Sequence, residues 1–114
     1  MALPITLTDT NFRSQVVDSE LPILVFFWAD WSSTCKAQAP SLRVLAEEDG
    51  DRIRVGKLDV DANPVTPAMF GVNSIPVLML FSGGQALFRI VAYRRLDVLR
   101  NEIEAALIGD AAQR

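Results

Sequence analysis

Histidine is absent from this 114-residue chain, and cysteine occurs once, at Cys35. A single cysteine permits no disulfide within the chain, so the protein cannot cycle between a dithiol and an intramolecular disulfide. The lack of histidine removes the commonest zinc ligand and the commonest general base. The composition therefore argues against zinc chemistry and against a Ser-His-Asp hydrolase, and we expect neither a metal nor another cofactor.

An excess of positive charge is also missing, because 11 Lys and Arg stand against 14 Asp and Glu. Without a basic stripe, the chain is unsuited to bind nucleic acid or anionic lipid. Its start has no charged segment followed by an apolar one, and no apolar run approaches the roughly 18 residues of a membrane helix. We expect a cytoplasmic protein whose partners are other proteins.

Half of the residues are hydrophobic, which suits one domain over residues 1–114 with a substantial core. Residues 23–28 form a continuous apolar run rich in β-branched and aromatic side chains, and they predict a central strand buried on both faces. From Thr34 the pattern becomes helical, with Leu42, Leu45 and Ala46 on one face. We expect Pro40 to kink this helix, because proline removes one backbone hydrogen bond.

The remaining segments complete an alternating α/β pattern. They predict strands at 5–7, 53–60, 77–81 and 85–91, short helices at 11–17 and 63–70, a Ser-Gly-Gly hairpin turn at 82–84, and a last helix at 95–107. Residues 110–114 are expected to fray. The order β-α-β-α-β-α-β-β-α predicts a mixed central sheet with helices on both faces.

Several motifs, taken in their order along the chain, point to one protein family. They are the strand and turn at 23–31, Cys35-Lys36, Pro40, Lys57-Leu58-Asp59-Val60-Asp61, Asn63-Pro64 and Ser74-Ile75-Pro76. Together they resemble the thioredoxin family over nearly the whole chain. The resemblance implies the thioredoxin fold and a cis peptide bond between Ile75 and Pro76, with a free backbone edge near Cys35.

Two departures from the family pattern bear on activity. Ser32 stands where family reductases carry the attacking cysteine, and a serine hydroxyl without an adjacent base is a very poor nucleophile. Phe26 stands where they carry a buried aspartate that moves protons. We therefore expect dithiol disulfide reduction to be absent or very weak, with Cys35 as the one candidate thiol.

The resemblance also implies a substrate-binding groove around the turn. It would be lined by Trp31, Ser33, Thr34, Ile75, Pro76, Val91, Ala92 and Tyr93. Ala92 replaces a glycine and Ser33-Thr34 replaces Gly-Pro, so the groove is expected to be narrower than usual. Trp31, Ile75 and Tyr93 are expected to form an exposed apolar patch.

Four further side chains have simpler structural interpretations. Ser32 is most simply a helix N-cap. Lys57 should reach solvent or pair with Asp59 or Asp61. Met69 and Phe70 are expected to be core residues of their short helix.

The favoured hypothesis is a single-cysteine thioredoxin-like protein that binds extended or unfolded protein segments. For Cys35 two alternatives stay open, namely a buried, inert thiol kept for packing and a thiol that captures partners as mixed disulfides. The Ser-x-x-Cys turn is similar to the thioredoxin-like domain of bacterial chaperedoxins. One alternative is a monothiol disulfide reductase or isomerase in which an external thiol resolves the intermediate. Another is a structural subunit that uses the fold only for docking. The alkylation rate of Cys35 as a function of pH would separate the enzyme from the two binding proteins.

Overall fold

The computed structural model describes residues 3–113, in which five strands and three α-helices alternate along the chain. The strands are β1 (Ile5–Leu7), β2 (Ile23–Trp28), β3 (Arg54–Asp59), β4 (Val77–Ser82) and β5 (Gln85–Ile90). The helices are α1 (Ser33–Asp49), α2 (Val65–Met69) and α3 (Leu96–Ala112), with a π-helical segment at Arg13–Val17. Element types agree with the sequence predictions, and the strand ends that differ from them do so by one residue.

The strands form one sheet in the order β1-β3-β2-β4-β5. β2 lies at its centre and pairs in parallel with β3 and antiparallel with β4, while β5 completes the far edge as a hairpin with β4. Residues 23–27 of β2 are buried, as their continuous apolar run predicts. This mixed sheet with helices is the thioredoxin fold, so the predicted fold class is confirmed.

Strand alternation divides the apolar side chains between two cores. Leu24 and Phe26 of β2 point to the face that α1 and α3 cover, where Cys35 is also buried. Val25 and Phe27 point to the other face, which the π-helical segment covers. Phe70, at the end of α2, packs there too, in an edge-to-face contact with Phe81. Helices on both faces therefore follow from a central strand that is apolar at every position.

α1 packs against the sheet through Leu42, Leu45 and Ala46, the three positions that its sequence pattern predicts. The helix continues as one element through Pro40, which is exposed. Its acidic C-terminal end is unfavourable for the helix dipole. Arg100 of α3 offsets this, since its guanidinium lies 2.6 Å from a carboxylate oxygen of Glu48.

Two sequence predictions about helices are wrong. α3 extends to Ala112, five residues past the predicted end, and the Oγ of Ser82 donates a 3.1 Å hydrogen bond to the carboxylate of Asp110. Residues 110–112 are therefore helical and not a frayed tail, because Gly109 tolerates the helix and alanines of high helix propensity follow it. Met69 is 71% exposed and does not belong to the core.

The turn between β4 and β5 follows the sequence prediction. Gly83 and Gly84 have φ values of 60° and 81°, which fall in the left-handed region that side chains other than glycine rarely adopt. Ser82 pairs with Gln85 across this two-residue turn. The hairpin pairs β5 with β4 as far as Ile90, and residues 91–93 follow directly after that strand.

Candidate functional site

The turn between β2 and α1 is organised by Ser32. This residue has an extended backbone, with φ of −91° and ψ of 113°, and its Oγ accepts a 3.1 Å hydrogen bond from the backbone N–H of Cys35. The predicted N-cap is thus confirmed. Ser33 and Thr34 form the exposed first turn of α1. The resemblance places an attacking thiol at this position, and here the Ser32 hydroxyl satisfies a free helix N–H.

Cys35 is only 1% exposed and belongs to the same apolar cluster as Phe26 and Leu78. Phe26 is itself 3% exposed, so the buried position that the resemblance assigns to it is occupied by an apolar ring. A thiol must contact a disulfide sulfur in order to attack it. In this conformation Cys35 does not meet that requirement.

The segment before β4 offers an open stretch of backbone. The peptide bond between Ile75 and Pro76 is cis, as the resemblance implies. Pro76 is buried and Ile75 is half-buried against the cluster that contains Cys35. Among residues 3–113, the backbone N–H and C=O of Ile75 have no hydrogen-bond partner. They are available to pair with another extended chain.

Trp31 is 70% exposed, and Asp61 holds it in place. The indole Nε1 of Trp31 donates a 2.9 Å hydrogen bond to the Oδ2 of Asp61. Trp31 and Ile75 line a common hollow of about 300 Å³, together with Val60, Pro67 and Val72. The ring therefore presents an oriented apolar surface beside the open backbone of Ile75.

Residues 91–93 follow β5. Val91 is 55% exposed and Tyr93 is 43% exposed, whereas Ala92 is half-buried against the cluster of Cys35. Gln38 of α1 holds the end of this segment in place through two hydrogen bonds. Its side chain accepts a 2.9 Å hydrogen bond from the backbone N–H of Arg94 and donates a 3.0 Å bond to the carbonyl of Arg94.

Lys57 lies beside Phe26 in the parallel register of β3 and β2. It is exposed, as one sequence prediction states, and its Nζ lies 5.6 Å from the ring centre of Trp28. The alternative prediction of a pair with Asp59 or Asp61 is wrong. Asp59 accepts hydrogen bonds from the backbone N–H groups of residues 61 and 62, and Asp61 accepts the bond from Trp31.

Sequence reasoning missed the roles of two residues. Gln38 is fully buried, yet within α1 it is one polar residue among several and carries no local signal. In the sequence, Asp61 belongs to an acidic loop, and nothing there indicates a specific role for it. Its contact with Trp31 spans 30 positions in the sequence, and only the fold brings the two side chains together.

Residues 3–113 hold no cluster of three or more His, Cys, Asp or Glu side chains arranged to bind a metal ion. None of the helices in that range is long and apolar enough to cross a membrane.

The sheet order, the capped turn and the cis-proline loop define an α/β protein of thioredoxin fold. The sequence profile described as Thioredoxin matches residues 3–105, and the chain belongs to the thioredoxin family. The thioredoxin of Alicyclobacillus acidocaldarius is 41% identical over 102 residues, which cover 90% of this chain and 96% of that protein. The thioredoxin of Mycolicibacterium smegmatis is 43% identical over 105 residues, covering 90% and 94%. The thioredoxin of Haemophilus influenzae is 47% identical over 81 residues, covering 71% and 76%.

Proposed function

We propose that this protein binds extended or unfolded segments of other proteins in the cytoplasm without catalysing two-thiol disulfide exchange. The binding surface is formed by Trp31, Ile75, Val91 and Tyr93, which we call the client face. The observation that carries the proposal is the backbone of Ile75, which has no hydrogen-bond partner within residues 3–113 and lies beside the exposed ring of Trp31. This combination suits a holding role like that of the thioredoxin-like domain in chaperedoxins.

The backbone and the side chains of the client face contribute to client binding in different ways. An extended client segment would donate to and accept from the backbone of Ile75, as an added strand does at a sheet edge. Such bonds do not depend on the client's sequence. Trp31 and Tyr93 supply rigid aromatic area at little cost in conformational entropy, and aromatic residues of this kind often dominate binding energy. The expected preference is for extended segments with apolar side chains.

A redox role for Cys35 would be limited to one thiol. Its thiolate would attack a client disulfide, form a mixed disulfide and release the second client sulfur as a thiolate. No second cysteine of this chain is available to resolve that product, so an external thiol must do so. The burial of Cys35 makes this step secondary to non-covalent binding, because the turn must open first.

Binding to a permanently unfolded protein tests the proposal. We suggest fluorescently labelled α-lactalbumin whose cysteines have been reduced and carboxymethylated, so that no disulfide can form. Fluorescence anisotropy should show saturable binding. Trp31→Ala and Tyr93→Ala should each weaken it by about 5- to 30-fold if the residue is an anchor.

The matched control is Ile108→Ala, which removes an apolar side chain that is 68% exposed on α3, outside the client face. This change should leave the affinity within twofold, and so should Cys35→Ala. Equal losses for Ile108 and Trp31 would show nonspecific adsorption. If binding requires Cys35 and a client with intact cysteines, the monothiol enzyme becomes the better hypothesis.

A further inference from the structure

We propose that this protein also binds a small amphipathic carboxylate, such as a medium-chain fatty acid, in a groove between α1 and the edge of the sheet formed by β1 and β3. Two adjoining hollows of about 250 and 190 Å³ make up this groove. They share four lining residues, namely Phe26, Ala39, Arg43 and Lys57. Together they reach the lower end of the roughly 300–1,000 Å³ range of small-molecule sites.

Sheet register and helix spacing bring the walls of the groove together. Thr6 and Phe26 both pair with Lys57, from β1 and β2 respectively, so the three side chains share one face of the sheet. Lys36 lies three residues before Ala39, and Arg43 lies four residues after it. These three residues therefore share one side of α1, which faces that row.

The floor of the groove is apolar. Phe26, Leu42 and Val55 line it, and each of them is at most 3% exposed. Trp28 and Cys35 line the smaller hollow. A bound molecule would rest its hydrocarbon part on this floor and remove it from water, which is favourable. None of the four residues of the client face lines either hollow, so the two surfaces are separate.

The charge around the groove indicates that the ligand is an anion. Within residues 3–113, four basic side chains have neither a hydrogen bond nor an ion pair, and they are Arg13, Lys36, Arg43 and Lys57. Three of these four line the groove, and no acidic side chain lines it. Such clustering is notable in a chain whose formal net charge is −3.

A carboxylate fits these three cations because it accepts hydrogen bonds from both guanidinium and ammonium groups. The contact of Lys57 with the ring of Trp28 leaves its ammonium free to bind an anion. Asp59, two residues further along β3, does not compete, since its carboxylate accepts backbone N–H groups of the following loop.

Titration with decanoate, followed by ¹⁵N NMR, tests the site. Saturable shifts are expected at the amides of Phe26, Ala39 and Lys57, with little change at Ile75 or Tyr93. Decan-1-ol, which has the same chain without the charge, should bind at least severalfold more weakly, and added salt should weaken decanoate alone. Shifts centred on the client face, or equal binding of the alcohol, would overturn the proposal.

Charge-neutralising variants complete the test. Arg43→Gln and Lys57→Gln should each raise the Kd of decanoate about 3- to 10-fold, because a charge-assisted hydrogen bond is lost. The matched control is Arg13→Gln. Arg13 is the member of those four cations that lies outside the groove, and its loss should leave the Kd of decanoate within twofold of that of the unmodified protein. Equal effects at Arg13 and Arg43 would reduce the interaction to general electrostatics and refute the site. Client binding is not required for either result.

Discussion

The Oγ of Ser32 accepts a 3.1 Å hydrogen bond from the backbone N–H of Cys35, so the hydroxyl at the position where the resemblance implies an attacking thiol serves as a helix cap. Ser32 is 8% exposed and no histidine exists in the chain to activate it. The two residues of the Ser-x-x-Cys turn therefore stabilise the start of α1 together. Neither is placed to begin disulfide exchange.

Insulin reduction coupled to thioredoxin reductase should not exceed the rate without the protein, because Ser32 cannot form the first mixed disulfide. Ser32→Cys restores the missing thiol. This variant should gain only partial activity, since Phe26 still provides no carboxylate for proton transfer. Turnover by the unmodified protein well above the control would contradict the inference.

Phe26→Asp should lower the free energy of unfolding by roughly 2–4 kcal/mol, because a buried ring is lost and a carboxylate enters an apolar site. Urea denaturation measures the change. Phe26→Leu is the control and should cost less than about 1.5 kcal/mol. Lys57 lies opposite in register, so removing its charge by Lys57→Met should make Phe26→Asp more damaging. An unchanged denaturation midpoint for Phe26→Asp would show that this side chain is not a buried core residue.

Gln38→Ala should destabilise the protein by about 1–3 kcal/mol, because it leaves the backbone N–H and C=O of Arg94 without their partner. Hydrogen exchange of the Arg94 amide should accelerate more than that of residues in β2. Ser41→Ala removes a neighbouring 2.7 Å hydrogen bond of Gln38 but leaves Arg94 paired, and its effect should be smaller. If the Arg94 amide exchanges equally fast in Gln38→Ala and Ser41→Ala, Gln38 does not anchor the Arg94 segment.

Asp9 should make a pH-dependent contribution to stability. Partial burial tends to raise its pKa, but hydrogen bonds donated by Thr66 and Val65 outweigh this and hold the pKa below its ordinary value. A lowered pKa in the folded state stabilises the protein at neutral pH, and this contribution is lost as the pH falls from about 4 through the folded-state pKa. The difference in unfolding free energy between the unmodified protein and Asp9→Asn should therefore shrink below about pH 4.

The control for this pH series is Asp18→Asn, since the side chain of Asp18 has no hydrogen bond within residues 3–113. Asp18 is exposed, and at neutral pH this surface substitution should change the free energy of unfolding by no more than about 0.5 kcal/mol. A constant difference for Asp9→Asn from neutral to acidic pH would show that the bonds to Thr66 and Val65 do not depend on ionisation.

Local pattern was sufficient for most of the fold. The apolar run of β2, the spacing of Leu42, Leu45 and Ala46, and the glycine pair of the hairpin each encode an element through their own neighbours. Prediction failed where local signals were weak or misleading, as at the end of α3. Gly109 resembled a stop signal, but alanines and the Ser82–Asp110 contact continue the helix beyond it.

The amino-acid sequence shows which chemistry is missing, because counting cysteine and histidine requires no structure. It also determined the cap at Ser32, whose partner lies three residues away. Only the tertiary structure shows that Asp61 anchors Trp31 and that Gln38 anchors Arg94. It also gathers at one groove three cations that have no hydrogen-bond or ion-pair partner within residues 3–113. These features join residues that are distant in the chain, and only packing of α1 and the loops on the sheet brings them into contact.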